Sequence, residues 1–418
     1  LPSGYWQHNH AAGEFSNTAK ITADDNAYIK DGVPAEKTGV GPANSVISKS
    51  GTKYDYDTHR ITWQIIVNAG KNDLPHAYLT DTIPKGQRYV PESFKITDGA
   101  PENGSYGCAF SGTLPDDPSA SETVLTYDFG AIKDTYTITY QTEITDPTKW
   151  ASNQSVSYKN KVSLSANADT THSDAEPAYP VTINVISKSG VKYDYVNHEL
   201  LWKIVINSSK IPLTNAIVSD TLTGNGLDDF ALDTSSIRID NVQAYPDTGN
   251  PPADGKYYYD ETTKTLVFDF QDLSGADRMK TITFSMKLNK TGGEYDEYFA
   301  ANGERTITNK AQLVSDQNKT PTWSDASQKI DNQLVGKTGY KSGMAYIDWA
   351  VNINQNGIKL DDLKLTDVLQ QGLELDTSSV KLYKQTLNPD GSYTPSQVYD
   401  DSTGDLNVSG TSLTLTKD

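Results

Sequence analysis

Residues 60–68 read RITWQIIVN and residues 199–207 read ELLWKIVIN. Apolar side chains fall on every second position in both, a period that sets one strand face in a core and the other in water. The alternation recurs in TYTITYQTEI (135–144) and TITFSMKL (281–288), with Gly, Pro, Asn and Asp between the runs. Sustained helical periodicity is missing. Short alternating runs bounded by turn formers predict an all-β chain of antiparallel strands folded into sandwiches.

The runs recur in a fixed order. VISKSGTKYDY (46–56) returns as VISKSGVKYDY (185–195), with one letter changed. The tryptophan run follows, then AYLTDTIPKG (77–86) or AIVSDTLTGN (216–225), then ESFKI (92–96) or SSIRI (235–239). A fainter third copy reads LVGKTGYKSG (334–343), YIDWAVNIN (346–354), LKLTDVLQQG (363–372) and SSVKL (378–382). Trp63, Trp202 and Trp349 precede Asp81, Asp220 and Asp367 by 18 residues each, while Lys49, Lys188 and Lys337 precede them by 32, 32 and 30. The three tryptophans are expected in cores. Copy one closes with SYKNKVSLSA (157–166) and copy two with TITNKAQLVS (306–315). The same element, EFSNTAKITA (14–23), stands near the start, whereas copy three reaches TSLTLTKD (411–418) without it. The expected division is a closing strand of a preceding repeat plus linker (1–43), sandwich repeats at 44–176 and 177–328, and a partial repeat at 329–418.

Composition narrows the class. One cysteine in 418 residues allows no internal disulfide, so a secreted chain needs another staple. A formal charge of −18 argues against nucleic acid or an anionic membrane as partner. No apolar run is long enough to span a bilayer. The chain opens at Leu1 without a signal peptide and reads as a mature protein or a slice of a longer one.

Each full copy supplies a lysine in its first strand, an aspartate after the tryptophan strand, and an asparagine in its last strand: Lys49, Asp81, Asn160 and Lys188, Asp220, Asn309. First and last strands lying side by side would set the amine against the amide. Burial among aromatics favours a neutral, nucleophilic lysine and a protonated aspartate able to polarise the amide and pass a proton to departing ammonia. Fixed proximity can lower such a barrier by roughly 7–11 kcal/mol. The product is an isopeptide bond that needs no oxidant. Lys53, Lys192 and Lys341 also align, but Ile47 and Lys49 share a strand face, which favours the first set. Each residue alone has an ordinary reading: Lys49 guarding an edge strand, Asp81 in a turn, Asn160 beside a bulge. Repetition of the whole set at near-constant spacing favours the bond.

These residues resemble the collagen-binding-type domains of Gram-positive cell-wall adhesins. The resemblance rests on the K-x-G of KSG and KTG, the W-x-x-x-x-N of the next run, the (T/S)-D-(T/V) after it, and the N-K of the closing strand. It implies variant immunoglobulin sandwiches, spontaneous Lys–Asn bonds assisted by Asp, and an extracellular, wall-attached stalk or adhesin. It further implies that a host or matrix protein such as collagen can be a partner. The bonds carried over are Lys49–Asn160 with Asp81 and Lys188–Asn309 with Asp220. Lys337 and Asp367 match without an asparagine after them, and Asn17 matches without a lysine or aspartate before it. An alternative takes this literally: sister copies join head to tail, the strand around Asn17 completing repeat three of a neighbour. No cofactor, metal site or turnover chemistry is expected. His59 and His198 align, yet copy three has no counterpart. QHNH (7–10) could bind a metal but reads better as a solvated terminus, DDNAYIKDG (24–32) lacks calcium-loop spacing, and Cys108 reads as a loop thiol.

Overall fold

In a computed structural model, residues 13–21, 33–41, 45–96, 122–166, 172–398, 406–409 and 412–417 are described. Two compact units are present, Leu1–Trp150 with Gln154–Ile183 and Ala151–Asn153 with Asn184–Asp418. The fold is all-β, in immunoglobulin-like sandwiches, and the pairings are antiparallel apart from the short Tyr245–Pro246/Lys256–Asp260 pair.

In the first unit one sheet runs in the order Ile47–Asp55, Arg60–Val67, Tyr136–Ile144, Gln87–Tyr89. The other runs His172–Ala175, Lys161–Ser165, Leu74–Pro84, Glu122–Ile132. The strand RITWQIIV buries every second side chain, so Ile61, Trp63, Ile65 and Val67 meet Leu79, Ile83, Leu125 and Val162 of the facing sheet. This inner layer is where the hydrophobic effect holds the sandwich together, at about 25 cal/mol per Å² of apolar surface removed from water.

The second unit repeats the plan, with longer closing strands at Gly303–Val314 and Thr322–Asn332. One sheet is Ile186–Asp194, Glu199–Ile206, Lys280–Leu288, Phe230–Ile239 and Val242–Gln243. The other contains Thr265–Leu273, Leu213–Thr221, Gly303–Val314 and Thr322–Asn332 in that order. Third-copy strands follow: Val335–Ser342 pairs with Tyr346–Ile353, and Leu363–Val368 pairs with Ser412–Lys417. A short helix, Gly293–Phe299, packs Tyr298 and Phe299 against Ile358 and Leu334 between the two.

The W-x-x-x-x-N pattern has a local cause. Asn68, Asn207 and Asn354 adopt positive φ (56°, 57° and 55°), a conformation asparagine tolerates better than most residues. Their amides then close the turn, donating to the carbonyls of Asn72, Ile211 and Ile358 at 2.9, 2.7 and 2.8 Å. His59 and His198 are also turn residues with positive φ, hydrogen-bonded through Nδ1 to Tyr54 and Tyr193.

One core expectation fails. Trp63 and Trp202 are fully buried, whereas Trp349 is 47 % exposed. Its counterparts are flanked by Tyr136–Ile144 and Lys280–Leu288, and no such strand flanks Tyr346–Ile353 among the described residues.

Candidate functional site

Register builds the site. Gly51, Trp63 and Tyr140 lie in one row across the first sheet, as Gly190, Trp202 and Phe284 do in the second unit. The glycine is required by close packing: a Cβ on Gly51 would come within 2.4 Å of the Tyr179 ring. Two residues earlier on the same face stands Lys49, opposite Ile65. In the facing sheet Asp81 pairs with Val162 and Asp220 with Ala311. Asn160 and Asn309 precede those partners by two, so each shares a face with its aspartate as a diagonal neighbour. The lysine and asparagine strands therefore belong to opposite sheets. The expected side-by-side pairing is corrected: the lysine reaches across the sandwich, because the closing strand is taken up by the aspartate strand.

In the first unit the three residues meet with Tyr140. Lys49 donates to Asp81 Oδ2 and, at 2.8 Å, to the Tyr140 hydroxyl. Tyr140 donates to Asp81 Oδ2 at 2.9 Å and accepts from Asn160 Nδ2 at 2.7 Å. The hydroxyl has one proton and two lone pairs, so these three contacts saturate it. All four side chains are buried. Trp63 and Tyr140 wall the amine, each ring centroid 5.3 Å from Nζ.

Burial sets the protonation. It lowers the Lys49 amine to about 8, outweighing the nearby Asp81 charge. It raises the Asp81 carboxyl despite Lys49 and raises the Tyr140 hydroxyl further above its usual range. Both directions favour the neutral pair, since separated charges in a dry interior lose hydration that the attraction seldom restores. The hydrogen-bond count agrees. A neutral amine spends its two protons on Asp81 and Tyr140 and keeps a lone pair for attack. Asp81 Oδ1 and Asn160 Oδ1 are both buried without a partner, so a proton on the carboxyl would supply a donor where the amide carbonyl lacks one.

The second unit has the same frame with less polarity. Lys188 donates to Asp220 Oδ2, and its amine lies 5.3 and 5.0 Å from the Trp202 and Phe284 ring centroids. Burial lowers the lysine and raises the aspartate. Phe284 carries no hydroxyl, and both heteroatoms of the Asn309 amide are buried outside hydrogen-bonding geometry, although Asn309 lies beside Asp220.

In the third copy Lys337 holds Asp367 through both oxygens, 2.6 and 2.7 Å away, in a half-open setting beside Trp349. Asn17 lies on Gly13–Ile21 opposite Lys37 of Val33–Gly41, and its side chain is outside the described residues. QHNH, DDNAYIKDG and Cys108 also lie outside them. Lys53 is exposed, with 70 % of its side chain in water, as is Lys192, so neither belongs to the buried cluster. Sequence reasoning missed Tyr140. Its only signal was that the tyrosine of TITYQTEI becomes phenylalanine in TITFSMKL.

The family model for the collagen binding domain matches residues 44–175 and 332–416, just over half of the chain. No curated protein matches. Among solved structures, the collagen adhesin of S. aureus is 13 % identical, covers 69 % of this chain and 93 % of its own, and has a TM-score of 0.25. The collagen-binding subdomain of the Enterococcus faecalis surface protein ACE is 14 % identical, covers 34 % and 95 %, and scores 0.23. An ACE structure described as binding its ligands by a collagen hug is 13 % identical, covers 66 % and 90 %, and scores 0.24.

Proposed function

Because the chain belongs to the collagen-binding domain family, we propose that it is an extracellular adhesive protein of a Gram-positive cell wall, a rod of sandwich repeats at 44–176, 177–328 and 329–418, the last of them partial. Lys49–Asn160 and Lys188–Asn309 isopeptide bonds, assisted by Asp81 and Asp220, staple the two full repeats. The observation that carries this reading is the buried lysine–aspartate pair beside a buried asparagine, built twice at equivalent register. Each bond joins the first strand to the last, so a pulling force passes through covalent bonds and leaves the core folded. The chemistry is a single turnover that consumes its own residues. Collagen or another matrix protein is the proposed partner, from the family to which the chain belongs.

Pulling the chain by its ends tests the staple. The two full repeats are expected to contribute no unfolding steps, and Lys188→Ala should restore one. Full-length steps from both repeats in the unmodified chain would refute it. Adhesion is tested separately by binding to immobilised triple-helical collagen.

The half-exposed Trp349 beside the Lys337–Asp367 pair favours a second reading, in which a neighbour's Asn17 strand completes repeat three in a head-to-tail filament. A denaturant-resistant ladder that grows with protein concentration is its signature.

A further inference from the structure

The first site contains a group that the Lys–Asn–Asp reading does not use. The Tyr140 oxygen touches the nucleophilic nitrogen of Lys49 at 2.8 Å and the leaving nitrogen of Asn160 at 2.7 Å, and it also contacts the carboxyl between them. Two nitrogens that must exchange a proton share one hydroxyl. We propose that Tyr140 is a catalytic proton relay for the Lys49–Asn160 bond, so that repeats one and two form the same bond by different proton routes. This deepens the bond reading above and rests on it.

The Lys49 Nζ lone pair attacks Asn160 Cγ, and the carbonyl oxygen takes the Asp81 proton. Nδ2, no longer conjugated with the carbonyl, gains a lone pair and becomes an acceptor. The hydroxyl turns about its C–O bond, away from Asp81, and gives its proton to Nδ2 while taking one from the positively charged Nζ. The C–Nδ2 bond breaks, ammonia leaves, and the proton on oxygen returns to Asp81. An amine and a primary amide become a secondary amide and ammonia, with Tyr140 and Asp81 regenerated. The hydroxyl stays neutral throughout, because burial holds its proton firmly.

Repeat two lacks this route. Phe284 occupies the register of Tyr140 and offers only a ring face, so Asp220 must carry the proton from Lys188 to Asn309 alone. A positioned proton carrier is worth about 10²-fold or more in rate, so repeat one should close about 10²-fold faster than repeat two.

The test is pulsed cell-free synthesis of the full chain, quenched in denaturant at intervals. Peptide masses then follow the loss of one ammonia from each repeat. Tyr140→Phe should slow repeat one to the pace of repeat two and shift its solvent deuterium isotope effect to the value of repeat two, a change that loss of packing alone would not produce. Phe284→Tyr should quicken repeat two. An unchanged rate in Tyr140→Phe overturns the relay while the bonds stand. If Tyr140→Phe fails to fold, no gain in Phe284→Tyr overturns it. Absence of ammonia loss from either repeat of the unmodified chain overturns the bonds themselves, and the relay with them.

Discussion

The first and second repeats set the same lysine, aspartate and asparagine at the same register, yet they surround them differently. In repeat one the Trp63 indole donates to Thr142 Oγ1 at 2.8 Å, Thr142 donates to Gln87 Oε1 at 2.8 Å, and Tyr140 links Lys49, Asp81 and Asn160. In repeat two Phe284 and Met286 stand where Tyr140 and Thr142 do, the Trp202 indole nitrogen is buried without a partner, and the Asn309 amide has Asp220 beside it but no hydroxyl. An unpaired buried group such as the indole costs about 1–3 kcal/mol. The polar shell can therefore be exchanged for an apolar one while the neutral lysine–aspartate pair is kept. What the two repeats share is what the chemistry requires: burial, a lysine across from an aspartate, and an asparagine diagonal to it. What they do not share is the polar shell around those residues.

The largest effect expected is equal in the two repeats. If the proposed bonds form, Lys49→Ala or Lys188→Ala should each remove a cross-link closing a loop of roughly 100 residues, worth about 5 kcal/mol by loop entropy. Calorimetry should show one transition falling for each variant while the other repeat holds. Unequal falls would mean that one repeat is not cross-linked.

Tryptophan substitutions extend the comparison to the third copy. Trp63→Ala and Trp202→Ala should each cost about 4 kcal/mol, because a large ring leaves a cavity in a closed core. Trp349→Ala should cost about 1 kcal/mol, since its ring already keeps much of its water contact. Denaturant melts would read both, and a large loss at Trp349 would place that ring in a core after all.

A smaller effect is the pH dependence of an unbonded site. In Asn160→Ala the lysine stays free, lowered to about 8 in the folded chain against 10.5 when unfolded. Between those values the unfolded chain binds more protons, so stability should rise as pH rises from about 8 to 10.5. Asp81, raised by burial, acts oppositely at the acid end: stability is greatest below pH 3.8 for this group and falls as pH climbs toward its folded value. Bond formation in the unmodified chain needs lysine neutral and aspartate protonated, so its rate should climb as the lysine loses its proton toward about pH 8 and fall once Asp81 ionises. A flat profile would place proton transfer outside the slow step.

Much of this was legible in the residues. Alternation in RITWQIIVN marked a strand with one buried face, and the repeated Lys, Trp, Asp and Asn spacing marked equivalent places in successive sandwiches. Which sheet each strand joins was not legible. Period two assigns a face but no neighbour, so the lysine and asparagine strands were expected side by side and lie in opposite sheets. Tyr140 was hidden for a related reason, because it reads as one more inward aromatic until register sets its hydroxyl beside Asp81. Trp349 matches the buried tryptophans in its letters, but burial depends on a flanking strand, and none flanks Tyr346–Ile353 among the described residues.

The most direct measurement is the intact mass of the purified, denatured chain beside Lys49→Ala and Lys188→Ala. Two internal bonds predict a mass below that of the sequence by two ammonia molecules, with one restored by each substitution. A mass equal to that of the sequence would contradict the account and leave the buried lysines as unbonded partners of Asp81 and Asp220.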